Sequence, residues 1–208
     1  MNENRFKWEV TPIALETNQL KVQNARFTVL TPWLIRMEYD KQNIFEDRAS
    51  RMAFHRNFET VKFESREENG NLYIETEKLI LTYKIGEDFS HETLCIELKN
   101  DPRTVWHFGD EIENLGGTAS TLDRVNGACP VGKGVCSRFG VSILDDSNSI
   151  VLGEDGWIEL RNDDTKDIYF FGYGYNYRQA VSDFMRLTGA PPLLPAYALG
   201  NWWSRYFV

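Results

Sequence analysis

Cysteine, histidine and long apolar runs are all scarce in this 208-residue chain. The three cysteines, Cys95, Cys129 and Cys136, are too few and of the wrong parity for a disulfide framework, and none has a paired Cys or His nearby at zinc spacing. They read as structural or free thiols of a reducing compartment. The three histidines, His55, His91 and His107, show no metal-ligand spacing and read as surface or satisfied core residues. No apolar run approaches the ~20 residues of a membrane helix. Residues 1–10 are polar, without the apolar centre of a signal peptide. No Asn-x-Ser/Thr sequon occurs. Together these absences predict a cytoplasmic protein with no metal and no cofactor. Basic charge is short as well: Lys+Arg 23 against Asp+Glu 31 gives a net −8. That balance argues against a nucleic-acid or anionic-membrane partner and fits small neutral ligands.

Short runs of alternating polarity fill most of the chain. Residues 26–30, 34–39, 60–64, 72–76 and 79–83 repeat with period two and are rich in β-branched and aromatic side chains, as half-buried strands require. Glu68-Asn69-Gly70-Asn71 predicts a hairpin turn, because Asn and Gly tolerate positive φ. Asp145-Asp146-Ser147-Asn148-Ser149 predicts another turn, between 141–144 and 150–152. Many short strands with little helical pattern predict an antiparallel β-sandwich.

Two segments break the rhythm. Residues 109–137 form a long Gly-rich stretch containing Asn114-Leu115-Gly116-Gly117-Thr118. Loops of this length are uncommon in compact domains unless they serve a function, and Leu115, Leu122, Val125, Val131 and Val135 are expected to pin this one down on the rim of the sandwich. From Asn176 the period becomes helical. Asn176 is the expected N-cap with Gln179 as its capping-box partner. Tyr177, Ala180, Val181, Phe184 and Leu187 share one face; Gln179, Ser182, Asp183 and Arg186 lie mostly on the other. Gly189 and Pro191-Pro192 end the helix, and residues 198–206 predict a strand.

Motifs with chemical meaning are few. Gly127-Ala128-Cys129-Pro130-Val131-Gly132-Lys133-Gly134 matches the first part of a phosphate-binding loop but has Gly134 where the magnesium-ligating hydroxyl belongs, so it reads as an ordinary loop. Glycoside hydrolysis needs two carboxylates flanking a bond. The acidic clusters at Asp110-Glu111-Glu113, Asp145-Asp146 and Asp163-Asp164 give no spacing across space, and Asp145, Asp146, Asp163 and Asp164 read as turn residues. Asp123, inside the long loop, reads either as a turn residue or as a carboxylate offered to sugar hydroxyls through charge-assisted hydrogen bonds.

The segment Asp183-Phe184-Met185-Arg186-Leu187-Thr188-Gly189-Ala190-Pro191-Pro192-Leu193-Leu194-Pro195, with Ala198-Leu199-Gly200-Asn201-Trp202-Trp203-Ser204-Arg205 after it, resembles a junction of glycoside hydrolase family 31. There an N-terminal galactose-mutarotase-like β-sandwich leads into a (β/α)8 catalytic barrel. Asn114-Leu115-Gly116-Gly117-Thr118, Thr121-Leu122-Asp123, Asp155-Gly156-Trp157 and residues 167–174 are similar to sandwich segments of the α-glucosidase-like branch. The resemblance implies a sandwich over 1–175, a connecting helix and Pro-rich link over 176–195, and the first barrel strand, cut short, over 196–208. It implies retaining hydrolysis of α-linked glucosides or short oligosaccharides by two carboxylates on later barrel strands, the nucleophile in a Trp-x-Asp-Met-Asn-Glu segment. The chain contains no such segment, so the expected catalytic residues in it are none. Asp123, on a loop that reaches over the barrel mouth, and Tyr206, after the Ser204-Arg205 pair at the strand's C-terminal end, are the expected substrate-binding residues. A free-standing carbohydrate-binding or interaction sandwich without catalysis is the alternative. The sequence leaves the oligomeric state open.

Overall fold

The computed structural model describes residues 8–119, 125–153, 155–161, 164–191 and 193–200. Twelve strands and one helix follow one another. They are β1 (Gln19–Val22), β2 (Ala25–Thr31), β3 (Leu34–Tyr39), β4 (Glu64–Glu68), β5 (Asn71–Glu75), β6 (Leu79–Lys84), β7 (Leu94–Leu98), β8 (Asp101–His107), β9 (Ser142–Asp145), β10 (Val151–Leu152), β11 (Ile158–Glu159), β12 (Lys166–Phe171) and α1 (Tyr177–Thr188). They build two five-stranded antiparallel sheets, ordered β1-β2-β3-β12-β9 and β4-β5-β6-β7-β8, and a small β10-β11 ribbon. The architecture is a mainly β sandwich with one α-helix among the described residues, as the strand pattern predicts.

Period-two alternation assigns each side chain to a face. Phe27 and Val29 on β2, Ile35 and Met37 on β3, and Ile168 and Phe170 on β12 meet Leu72, Ile74, Leu81, Tyr83, Leu94 and Ile96 of the second sheet in one continuous core. Each such side chain, fully buried, stabilises the fold by about 1.5–3 kcal/mol. The β4–β5 turn has φ +52° at Asn69 and +77° at Gly70, so the Asn-Gly pair makes the hairpin that its sequence dictates.

The opposite face of the first sheet is also buried, by α1 and residues 44–58. Leu30, Leu34, Tyr169 and Phe171 pack there against Ala180 and Leu187. Because strands β2, β3 and β12 are covered on both faces, their polar residues lie inside a second interface rather than in water.

Several expectations change. Residues 60–63 carry no ladder, and β4 begins only at Glu64. The 145–149 turn joins no hairpin: β9 pairs with β12, and β10 with β11. The chain turns inward there because Asp146 is fully buried, accepting from Ser50 Oγ at 2.6 Å and Arg161 Nη2 at 2.7 Å. Asp146 is therefore not a solvated turn residue, whereas Asp145 is exposed, Asp164 sits in a turn at φ +65°, and Asp163 lies outside the described residues.

In α1, Asn176 stands at the N-cap without a side-chain cap bond, and Gln179 Nε2 donates instead to Asp183 Oδ2 at 3.1 Å. The buried stripe is Ala180, Asp183 and Leu187, while Val181 is exposed. Asp183 displaces Val181 from the inner face because the buried Tyr173 hydroxyl needs an acceptor, and donates to Asp183 Oδ2 at 2.7 Å. The helix ends at Gly189 with positive φ, as expected. Ala198 and Leu199, expected to open a strand, belong to a 3-10 turn (Ala196–Leu199); residues 201–206 of that strand lie outside the described residues. No helix among the described residues is long and apolar enough to cross a membrane.

Candidate functional site

Asp123 and Tyr206 both lie outside the described residues, but the frame that carries the Asp123 loop is described. Its two legs run side by side. Asn114 and Ser137 form a β-bridge. Leu115 N–H donates to Cys136 O at 3.0 Å, Gly117 N–H to Gly132 O at 2.7 Å, and Gly132 N–H to Thr118 O at 3.2 Å. The Asn114 side chain locks the base. Its Nδ2 donates to Gly134 O (2.7 Å) and Ser142 Oγ (3.0 Å), and its Oδ1 accepts from Gly116 N–H and Gly134 N–H, both at 2.8 Å. Four hydrogen bonds exhaust what one amide can make. Ser142 belongs to β9, so the same residue rivets the loop to the first sheet.

Glycine makes the close approach of the legs feasible. A Cβ on Gly134 would stand 2.6 Å from Gly116 O, and one on Gly117 would stand 3.2 Å from Lys133 O. The Asn-Leu-Gly-Gly-Thr stretch and the glycines of 127–134 are thus two halves of one clamp, which is also why the latter are not a phosphate cradle. Apolar anchoring plays little part: Leu115, Val125 and Val131 are exposed, and Val135 alone of the described apolar set packs against the core.

A second polar constellation has the hallmarks of catalysis and a different role. On the covered face of the first sheet, Glu38 and Asp167 stand directly opposite each other in the β3–β12 register. Arg36 grips Asp167 with two hydrogen bonds of 2.8 and 2.7 Å, and Arg26 grips Glu38 with two of 2.7 and 2.9 Å. Arg161 bridges Asp167 and Asp146, each at 2.7 Å. Arg56 lies 3.8 Å from Asp146 and donates to the Tyr169 hydroxyl at 2.7 Å. The two aspartates are driven apart in acidity. Burial pushes the Asp167 carboxyl up, but the Arg36 and Arg161 guanidiniums outweigh it and hold it well below the usual carboxylate range. Burial and the neighbouring Asp167 charge hold the Asp146 carboxyl above that range despite Arg161. Split carboxylates mark acid–base pairs in glycosidases. Here, however, both are at most 1% exposed and already enclosed by arginines, so no substrate bond can come between them. The cluster fastens β3 and β12 to the covering layer.

An open groove of about 910 Å³ runs between α1 and the edge of the second sheet, lined by Trp33, Phe63, Glu75, Lys99, Asp183 and Arg186. Ion pairs Lys99–Glu75 (2.6 Å) and Arg186–Glu59 (2.5 Å) take up charge on its walls.

Sequence spacing missed one cluster altogether. The β7–β8 pairing brings His91 and His107 together, rings stacked with centroids 4.5 Å apart, beside Asp110. The cross-strand register that joins them leaves no local signature in the sequence. His55 stands apart from them, within 3.0 Å of the Thr11 hydroxyl.

No protein-family model and no curated protein sequence matches the chain. Among solved structures, a mutant of Flavobacterium johnsoniae GH31 dextranase complexed with isomaltotriose is similar over 89% of this chain and 27% of its own, at 15% identity and a TM-score of 0.51. Flavobacterium johnsoniae GH31 dextranase complexed with glucose matches over the same shares at 14% identity and a TM-score of 0.49. The likeness is one of fold, shared with part of the dextranase, and the chain spans 27% of the length of the structures it matches.

Proposed function

We propose that this chain is the N-terminal portion of a retaining α-glycosidase of the α-glucosidase type, acting on α-linked glucosides or short oligosaccharides. Its part is the scaffold and one wall of the substrate cleft, with Asp123 and Tyr206 touching sugar, while the catalytic carboxylates belong to a barrel that these 208 residues do not contain. The observation that carries this is the Asn114 clamp, which holds both legs of the Asp123 loop to β9. A carboxylate that must meet sugar hydroxyls needs a fixed base, because positioning within a fraction of an ångström governs such contacts. The GH31-like fold supports the same reading. The burial of the Asp146–Asp167 pair among arginines supports assigning hydrolysis to other carboxylates.

The test is turnover of an aryl α-glucoside by the purified 208-residue chain, together with calorimetric titration of isomaltose. No turnover and no saturable binding at millimolar sugar are expected, since half a cleft binds weakly. Turnover abolished by Asp123→Ala would overturn the assignment. Clear saturable binding would favour a free-standing carbohydrate-binding sandwich.

A further inference from the structure

We propose that His91, His107 and Asp110 form a surface site for one late first-row divalent ion, of which zinc is the representative. Among the described residues this is the one group of three or more His, Cys, Asp and Glu side chains whose ligand atoms converge, all within 4.8 Å of one another. His91 Nε2 lies 3.4 Å from Asp110 Oδ1, and His107 Nδ1 lies 3.6 Å from Asp110 Oδ2.

The backbone under each ligand is fixed. His107 is the last residue of β8 and pairs with Cys95 of β7. Asp110 is tied to it by reciprocal bonds: Asp110 Oδ2 accepts from His107 N–H at 2.8 Å, and Asp110 N–H donates to His107 O at 3.0 Å. His91 sits in the turn before β7, which Thr93 staples: its Oγ1 accepts from Ser90 N–H at 2.8 Å and donates to Asp88 O at 2.6 Å. Phe89 anchors that turn in the core against Phe27, Tyr83 and Phe108.

The side chains keep the freedom that binding requires, at 59%, 37% and 35% exposure for His91, His107 and Asp110. Ligand atoms at about 2.0–2.1 Å from a tetrahedral zinc are roughly 3.3 Å apart, so a small rotation of exposed rings closes the site and water completes the shell. Two imidazoles and one carboxylate select zinc, nickel or copper; calcium and magnesium prefer all-oxygen shells. The bound ion would cross-link the turn before β7 to the end of β8.

The experiment is zinc chloride titrated into the 15N-labelled chain at neutral pH, followed by calorimetry and imidazole NMR. One ion per chain is expected, shifting the resonances of His91 and His107 but not of His55. His91→Gln and His107→Gln should each weaken binding about tenfold or more, since even ligand-orienting groups are worth that much, with the fold intact by circular dichroism. A Cys95→Ser, Cys129→Ser, Cys136→Ser variant should bind as before. Absence of saturable binding, binding untouched by both histidine variants, or binding lost with the cysteines would overturn the proposal.

Discussion

The side chain of Asn114 is hydrogen-bonded to both backbone groups of Gly134, twenty residues on, donating to its carbonyl at 2.7 Å and accepting from its N–H at 2.8 Å. One amide thus does the work of a short β-ladder. Asn114→Ala removes four hydrogen bonds at once, two of them to Gly134. A loss of about 1–3 kcal/mol is expected, together with faster proteolysis within 119–131. Thermal unfolding and limited proteolysis measure the two effects. An unchanged cleavage rate would show that something other than Asn114 holds the legs.

Glycine substitutions separate steric from conformational cost. Gly134→Ala places its Cβ 2.6 Å from Gly116 O and must push the legs apart. Gly70→Ala meets nothing within 4 Å, but stays at φ +77°, which costs about 1–2 kcal/mol from left-handed strain alone. In denaturant melts both variants should be less stable, but only Gly134→Ala should alter proteolysis of the long loop.

The buried aspartates should differ in value. Asp167→Asn leaves Arg36 and Arg161 without their shared charge inside the protein, and about 3–5 kcal/mol is expected. Asp146, whose carboxyl burial and the Asp167 charge hold above the usual carboxylate range, gains less from its charge and should tolerate Asn better. Equal or reversed losses at neutral pH would contradict the assigned asymmetry.

Acid should reveal the same asymmetry. The Asp167 carboxyl is depressed in the folded state, so its stabilisation is present above the unfolded value near 3.9 and is lost as pH falls through the folded one. Asp146 has the opposite sign: its raised folded value gives stability that is present at low pH and lost as pH rises through it. Wild-type stability followed below about pH 4 should therefore fall more steeply than that of Asp167→Asn.

Much of the sandwich was legible because period two is a physical property of strands. Phe27, Val29, Ile35 and Met37 announce one face of β2 and β3, and Asn69-Gly70 announces its turn. The same alternation misleads about Arg26, Arg36, Glu38 and Asp167. It shows that two faces differ in polarity, not that the polar one is wet, and here a second layer covers it. Asp183 repeats the lesson on α1, where a buried tyrosine hydroxyl outranks the apolar Val181 for the inner face. The Asn114 clamp could be suspected from its glycines, but its partner lies across a loop. The His91–His107 pair depends on the β7–β8 register, which composition does not encode. Of the proposed sugar contacts, Asp123 came from its place in the long loop together with the resemblance and Tyr206 from the resemblance, and both fall outside the described residues.

The coding sequence beyond Val208 is the most direct measurement. If this domain is the N-terminal part of a family 31 α-glycosidase, the frame continues into barrel strands with a Trp-x-Asp-Met-Asn-Glu segment. An unrelated domain in frame, or no such segment in the neighbouring sequence, would contradict it.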